Sequence, residues 1–174
     1  PAAADWSIDS ETSVLHFLST KNAQVTEVHK FDSFNGTLSD SGKLSVAVDL
    51  SSVNTAIDIR NQRMQDMLFN VSKFAQATFE ANLPESMMNL KAGEVANGNV
   101  DGILVLHGKA VPTSFSVTAS KVDEGTLTVS TTAPTLIKAE SFGLAEGVAA
   151  LQKIAGLKSI TTTVPVTFAV TFEQ

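Results

Sequence analysis

No cysteine and no tyrosine occur in this chain, and tryptophan occurs once. Without cysteine there is no disulfide scaffold and no thiolate metal site. Without tyrosine the aromatic set is ten Phe and one Trp, and Phe has no polar group with which to hydrogen-bond a ligand. Basic runs are also missing: twelve Lys and Arg are scattered against eighteen Asp and Glu, for a net charge of −6. A nucleic-acid binder needs clustered cations to displace counterions, so no nucleic-acid partner is expected, and anionic membrane surfaces are disfavoured on the same ground. No apolar run reaches the ~18 residues that an integral membrane segment requires.

Signs of catalysis are equally scarce. His16, His29 and His107 have no His or carboxylate at a ligand spacing on a shared face, so they read as surface residues rather than metal ligands or bases. There is no G-x-S-x-G elbow, no Ser/His/Asp arrangement and no glycine-rich phosphate loop. Neither an enzyme nor a resident cofactor or metal is expected.

What the chain does have is alternation. Val164, Val166, Phe168, Val170 and Phe172 share one phase, while Pro165, Thr167, Ala169 and Thr171 share the other, the period-2 pattern of a half-buried strand. Strand signals of this kind cover Trp6 to Asp9, Ser13 to Thr20, Val25 to Leu38, Lys43 to Leu50, Ala77 to Leu83, Val100 to Leu106, Val111 to Ala119, Leu127 with Val129, and Ser159 to Phe172. Phe31 and Phe34 have opposite parity, which places a bulge or bend between them. Turns are expected at 39–42, at Pro84-Glu85, at 95–98 and at Asp123-Glu124-Gly125. The period changes twice. Asp58 to Phe69 carries Met64, Met67 and Leu68 at helical spacing, and Leu144, Val148, Leu151 and Ala155 make one apolar stripe that stops at Gly156. The 174 residues and 43% hydrophobic content suit one all-β domain, 1–174. Eight or so strands in meander order with two short helices imply an antiparallel β-barrel, because closure removes exposed edges. Such a barrel can be filled by its own Phe and Leu side chains or hold one ligand, and the residues leave both open.

Several segments, in order, resemble the YceI-like family. They are Trp6-Ser7-Ile8-Asp9 with Ser13-Val14-Leu15-His16-Phe17, Phe31-Asp32-Ser33-Phe34-Asn35-Gly36, and Ser52-Val53-Asn54-Thr55 with Ile59-Arg60-Asn61-Gln62-Arg63-Met64. Leu68-Phe69, Phe74 to Phe79, Gly102 to Gly108 and Phe142-Gly143-Leu144 complete the set. Where the family commonly has Arg-Asp this chain has Arg60-Asn61, and where the family often has His it has Thr12 and Lys21. The resemblance implies a lipocalin-like barrel, typically exported to the periplasm, that binds a polyisoprenoid or prenyl quinone.

On that resemblance the barrel is open, and its ligand-facing wall is expected to comprise Leu15, Phe17, Val46, Val48, Leu104 and Leu106, followed by Phe115, Val117, Val166, Phe168 and Val170 on the later strands. Phe31, Phe34 and Phe79 join them from the motif segments, with Met64, Met67 and Leu68 from the first helix and Phe142 and Leu144 from the FG segment. Arg60 and Arg63 read more readily as a structural ion pair tying helix to barrel than as head-group contacts. The expected partner is a long-chain isoprenoid lipid that is sequestered or transported, and a homodimer is compatible with this. The Ala-rich start at Pro1-Ala2-Ala3-Ala4 reads as the region after a cleaved signal peptide, which points to a periplasmic or secreted protein; a cloning remnant or interdomain linker would look the same. The competing function is an accessory or interaction module of a larger secreted protein, with a filled core.

Overall fold

Alternating side chains put one apolar face on each strand, and the strands bury those faces by rolling into a barrel. A computed structural model describes residues 5–174; the Ala-rich start at 1–4 lies outside the described residues. The first strands are β1 (Trp6–Ile8), β2 (Val14–Lys21), β3 (Val25–Phe31), β4 (Phe34–Leu38), β5 (Lys43–Asp49) and β6 (Val53–Asn54). The later ones are β7 (Gln76–Asn82), β8 (Val95–Leu106), β9 (Lys109–Asp123), β10 (Thr126–Thr131), β11 (Thr135–Lys138) and β12 (Thr163–Glu173). Every pairing is antiparallel, and eight strands close a ring in the order β1-β4-β5-β7-β8-β9-β10-β12, with β12 returning to β1 through Ile8 and Phe172. The remaining strands extend the wall: β2 and β3 continue from β12, β6 pairs with β3, and β11 runs beside the first half of β12.

The break between Phe31 and Phe34 is the expected bend. Asp32 and Ser33 leave the ladder, their N–H groups donate to the Ser52 carbonyl and hydroxyl oxygens, and the strand resumes with its parity changed. Segment 95–98 does not turn as expected but opens β8, pairing Val95 with Ser120 and Gly98 with Val117. Its Asn and Gly residues face outward or approach neighbouring atoms closely; a Cβ on Gly98 would sit 3.1 Å from Met87 Cε.

The two helices lie at one end, here the lid. The first begins as α1 (Asp58–Arg63), widens into a π-helical turn over Met64–Phe69 and ends on Asn70 with φ +53°. After the short α2 (Glu85–Met88), α3 (Ala145–Ile154) crosses the same lid and stops before Gly156 at φ +66°. α3 is seated through Gly147, where a Cβ would meet the Met67 carbonyl oxygen at 2.8 Å. The opposite end, the floor, is packed solid by Trp6, Leu38, Met87, Leu90, Val117 and Ala119, with Leu38 and Ala119 0% exposed. Among the described residues no helix is long and apolar enough to cross a membrane.

Candidate functional site

Between floor and lid the barrel encloses a cavity of about 250 Å³ whose wall exposes no polar atom. Strand phase builds it. Val46 and Val48 of β5 face inward beside Phe79 and Ala77 of β7, their register partners. Phe115 bridges the middle, edge-on to Phe79 at 5.0 Å and to Phe168 at 5.3 Å between ring centroids. Leu104 and Leu106 of β8, Leu15 and Phe17 of β2, and Val166 and Val170 of β12 complete the expected strand contribution, and Phe31 and Phe34 both reach the cavity because of the bend between them. The lid supplies Met64, Leu68 and Leu144. Half-buried lining residues run from Ile8, Leu15 and Val46 through the middle of the barrel to Phe31, Leu68, Val148 and Val164 at the lid, while Leu83, Val100 and Phe172 toward the floor are buried.

Three expected wall residues stand elsewhere. Val117 faces inward but lies one layer too low, 1% exposed in the packed floor. Phe142 is 2% exposed and packs with Ala139 and Leu144 beneath the lid, closing the barrel rather than lining it. Met67 lies off the wall on the α3 side of the π-turn, its carbonyl against Gly147; the extra residue of a π-turn rotates the helix face, and of the expected Met67 and Leu68 only Leu68 lines the cavity.

Other wall residues were not named from sequence. Ile8, Leu44, Val129 and Phe172 share phase with named neighbours, so the signal was present. Ile137 and Ala139 come from β11 and the 3-10 turn after it (Ala139–Phe142), where four-residue elements carry too little periodicity to read.

The polar groups cluster outside the cavity, under the lid. Arg60 donates from Nη1 and Nη2 to both carboxylate oxygens of Glu27 on β3, at 3.3 and 3.0 Å, and from Nε and Nη2 to Thr55 Oγ1 and O at 2.9 and 2.7 Å. Asn61 accepts from the Thr55 N–H and hydroxyl, and Lys21 reaches Glu27 at 2.9 Å. Thus Arg60 is a tie between helix and barrel. The hydrogen bond from Lys21, then that from Arg60, pulls the Glu27 pKa down to about 2. His29 sits beside this group, 6% exposed and edge-on to Phe17 at 5.4 Å, which corrects its expected surface position; burial first, then the Arg60 charge, lowers its pKa. His107 is also structural: it takes φ +54° in the β8–β9 turn, its Nδ1 is 3.1 Å from the Phe142 carbonyl oxygen, and its ring packs on Phe74. His16 is half-buried at the cavity margin. Among the described residues no group of three or more His, Asp or Glu could hold a metal ion.

Comparison with known proteins places this geometry. No curated protein sequence matches the chain. The structure of a polyisoprenoid binding domain from Saccharophagus degradans implicated in plant cell wall breakdown superposes with a TM-score of 0.92 at 35% identity, covering 97% of each chain. BcnA of Burkholderia cenocepacia shares the fold at TM-score 0.72 and 20% identity, over 94% of this chain and 98% of that one. The YCEI protein of Campylobacter jejuni does so at 0.64 and 18%, over 89% and 90%. The family model for the YceI-like domain matches residues 6–172, from the first residue of β1 to the inward-facing Phe172 of β12: the chain belongs to the YceI-like domain family.

Proposed function

We propose that the barrel binds one long isoprenoid lipid or prenyl quinone without covalent chemistry, and sequesters or carries it in the periplasm or outside the cell. The observation that carries this is the apolar cavity of about 250 Å³. Filling such a space with hydrocarbon takes its wall and the occupant out of water, at about 25 cal/mol per Å² of apolar surface. A wall without polar atoms favours hydrocarbon, and the 35% identical relative from Saccharophagus degradans is a polyisoprenoid binding domain. His16 at the margin is the one ionisable side chain among the lining residues, and no carboxylate or hydroxyl lines the wall beside it, which supports binding rather than catalysis.

Against water each buried CH₂ gains about 0.8 kcal/mol. A lipid tail in a bilayer is already out of water, so its transfer into the barrel is close to neutral per carbon. Fit to the Phe and Leu wall then decides occupancy, and release stays easy, as a carrier or store requires.

Protein purified from a bacterial host is extracted with organic solvent and the extract examined by mass spectrometry. A long, mostly apolar lipid is expected. Delipidated protein should bind an added prenyl quinone with a raised melting temperature, and Leu104→Asp and Phe168→Asp should lower occupancy while circular dichroism stays that of a folded barrel, because a carboxylate among these side chains must desolvate or draw in water. A lipid-free extract together with no quinone binding would replace the carrier with a filled-core accessory module.

A further inference from the structure

The two ends of the barrel carry opposite charge. At the lid stand Lys21, Arg60 and Arg63 beside α1, Lys73 and Lys109 around the β8–β9 turn, and Lys138, Lys153 and Lys158 around α3. Lys30 beside β6 makes nine, and seven carboxylates accompany them: Glu27, Asp32, Asp49, Asp58, Asp66, Glu140 and Glu146. Glu27 is shared by Lys21 and Arg60, and Lys153 and Lys158 are exposed. At the floor the balance reverses. Lys43, Lys91 and Lys121 face Asp5, Asp40, Glu85 and Glu94, together with Asp123, Glu124 and Glu173. Strand β9 alone runs 15 residues from Lys109 to Asp123, about 50 Å of strand at about 3.3 Å per residue. The two ends are therefore several Debye lengths of about 10 Å apart, and a surface near the lid senses the lid's charge rather than the net −6.

The same end exposes aliphatic side chains around one corner. Val25 begins β3 at 46% exposure, Ile57 and Ile59 open α1 at 47% and 58%, and Ile154 ends α3 at 49%. These elements are joined there: Arg60 ties α1 to β3, and Asn22 of the β2–β3 turn accepts from the Lys158 N–H and donates its own to the Ser159 carbonyl. Val95 and Val122 are similarly exposed at the floor, but among carboxylates. The cavity extends to the lid beside the cationic corner, where Leu68, Val148 and Val164 line it.

We propose that the lid end is a docking surface for an anionic lipid bilayer, cations against head groups and the Val25, Ile57, Ile59 and Ile154 corner in the interface, with cargo entering from the membrane past the lid. The proposal rests on the lipid-binding reading for its purpose but not for its test. Cationic residues near an anionic leaflet attract it individually, and apolar side chains at the interface add to that. A carrier for a water-insoluble tail needs such contact where cargo enters.

The test uses delipidated protein and vesicles of phosphatidylcholine with or without phosphatidylglycerol, in flotation at low and high salt. Flotation with the anionic vesicles at low salt, lost at high salt and absent with pure phosphatidylcholine, is expected. Each of Lys153→Glu and Lys158→Glu should weaken it about fivefold, Ile59→Ser with Ile154→Ser should weaken it further, and Lys91→Glu at the floor should leave it unchanged. Because the chain lacks cysteine, a polarity-sensitive dye on Ile154→Cys reports the lid and one on Val122→Cys the floor; only the first should shift on anionic vesicles. No flotation, flotation independent of lipid charge, or a floor dye that responds as strongly overturns the docking surface. Prenyl quinone binding is measured separately in solution: binding without flotation removes the docking surface alone, and flotation without binding removes the carrier function alone.

Discussion

Arg60 and Glu27 face each other in a fork-to-fork pair, two N–H donors on two carboxylate oxygens at 3.3 and 3.0 Å, and join the lid helix to strand β3. Their side chains are 26% and 31% exposed, so water screens the pair only in part, and the planar fork fits a carboxylate as an ammonium cannot. Arg60→Ala removes this pair and both bonds to Thr55; a loss of about 2 kcal/mol is expected in urea unfolding. Arg60→Lys should restore less than half of it. Hydrogen exchange should quicken in α1 in both variants and stay unchanged at the floor.

Acid should weaken the fold in two steps. Burial, then the Arg60 charge, lowers the His29 pKa from 6.5. The unfolded chain therefore binds the proton more readily, and the stability held above pH 6.5 declines as pH falls below it. Glu27 has its pKa drawn from 4.5 to about 2, so its contribution is complete above 4.5 and is lost between there and about 2. Unfolding free energy followed against pH should show both slopes. His29→Phe should flatten the first and Glu27→Gln the second; an unchanged profile in either variant would remove that residue from the account.

Helix α3 can sit on the π-turn only because residue 147 has no side chain: a Cβ there would lie 2.8 Å from the Met67 carbonyl oxygen and 3.0 Å from Leu68 Cα. Alanine ordinarily favours a helix by about 1 kcal/mol over glycine. Here Gly147→Ala is expected to destabilise by about 1–2 kcal/mol instead, with Gly147→Val worse. At exposed Ala149 on the same helix, Ala149→Gly should follow ordinary propensity and cost about 1 kcal/mol. Thermal denaturation of the pair reads the contrast in sign.

Two buried alanines separate cavity from core. Ala77 is 7% exposed on the cavity wall, whereas Ala119 is 0% exposed in the packed floor. Ala77→Leu adds carbon to open space, so the delipidated protein should gain about 1 kcal/mol while prenyl quinone uptake falls. Ala119→Leu overpacks and should cost about 1–3 kcal/mol. Equal losses at both sites would show that the space is not available to a side chain.

Period-2 alternation marked most of the strands and the face each turns inward, because a strand's side chains alternate whatever its neighbours do. That is why Leu15, Val46, Leu104 and Phe168 could be assigned to the interior from their phase alone. The stripe Leu144, Val148 and Leu151, ended by Gly156, marked α3 for the same local reason. Segment 95–98 has the Asn and Gly composition of a turn, and only pairing with β9 makes it strand.

Height along the barrel and the presence of a space were decided by tertiary structure. Phase says that Val117 faces inward, but not that it falls in the packed floor while Phe115, two residues earlier, borders the cavity. A void is what remains after distant side chains have packed, and no local pattern carries their summed volume. Helical spacing put both Met67 and Leu68 at the wall; the π-turn leaves Leu68 there and carries Met67 away. Charge shows the difference most plainly: from the chain alone a net −6 argues against an anionic membrane, because scattered lysines have no address until the strands fix which end each occupies. Local chemistry determined which faces are apolar; long-range register determined where the space lies and where the cations gather.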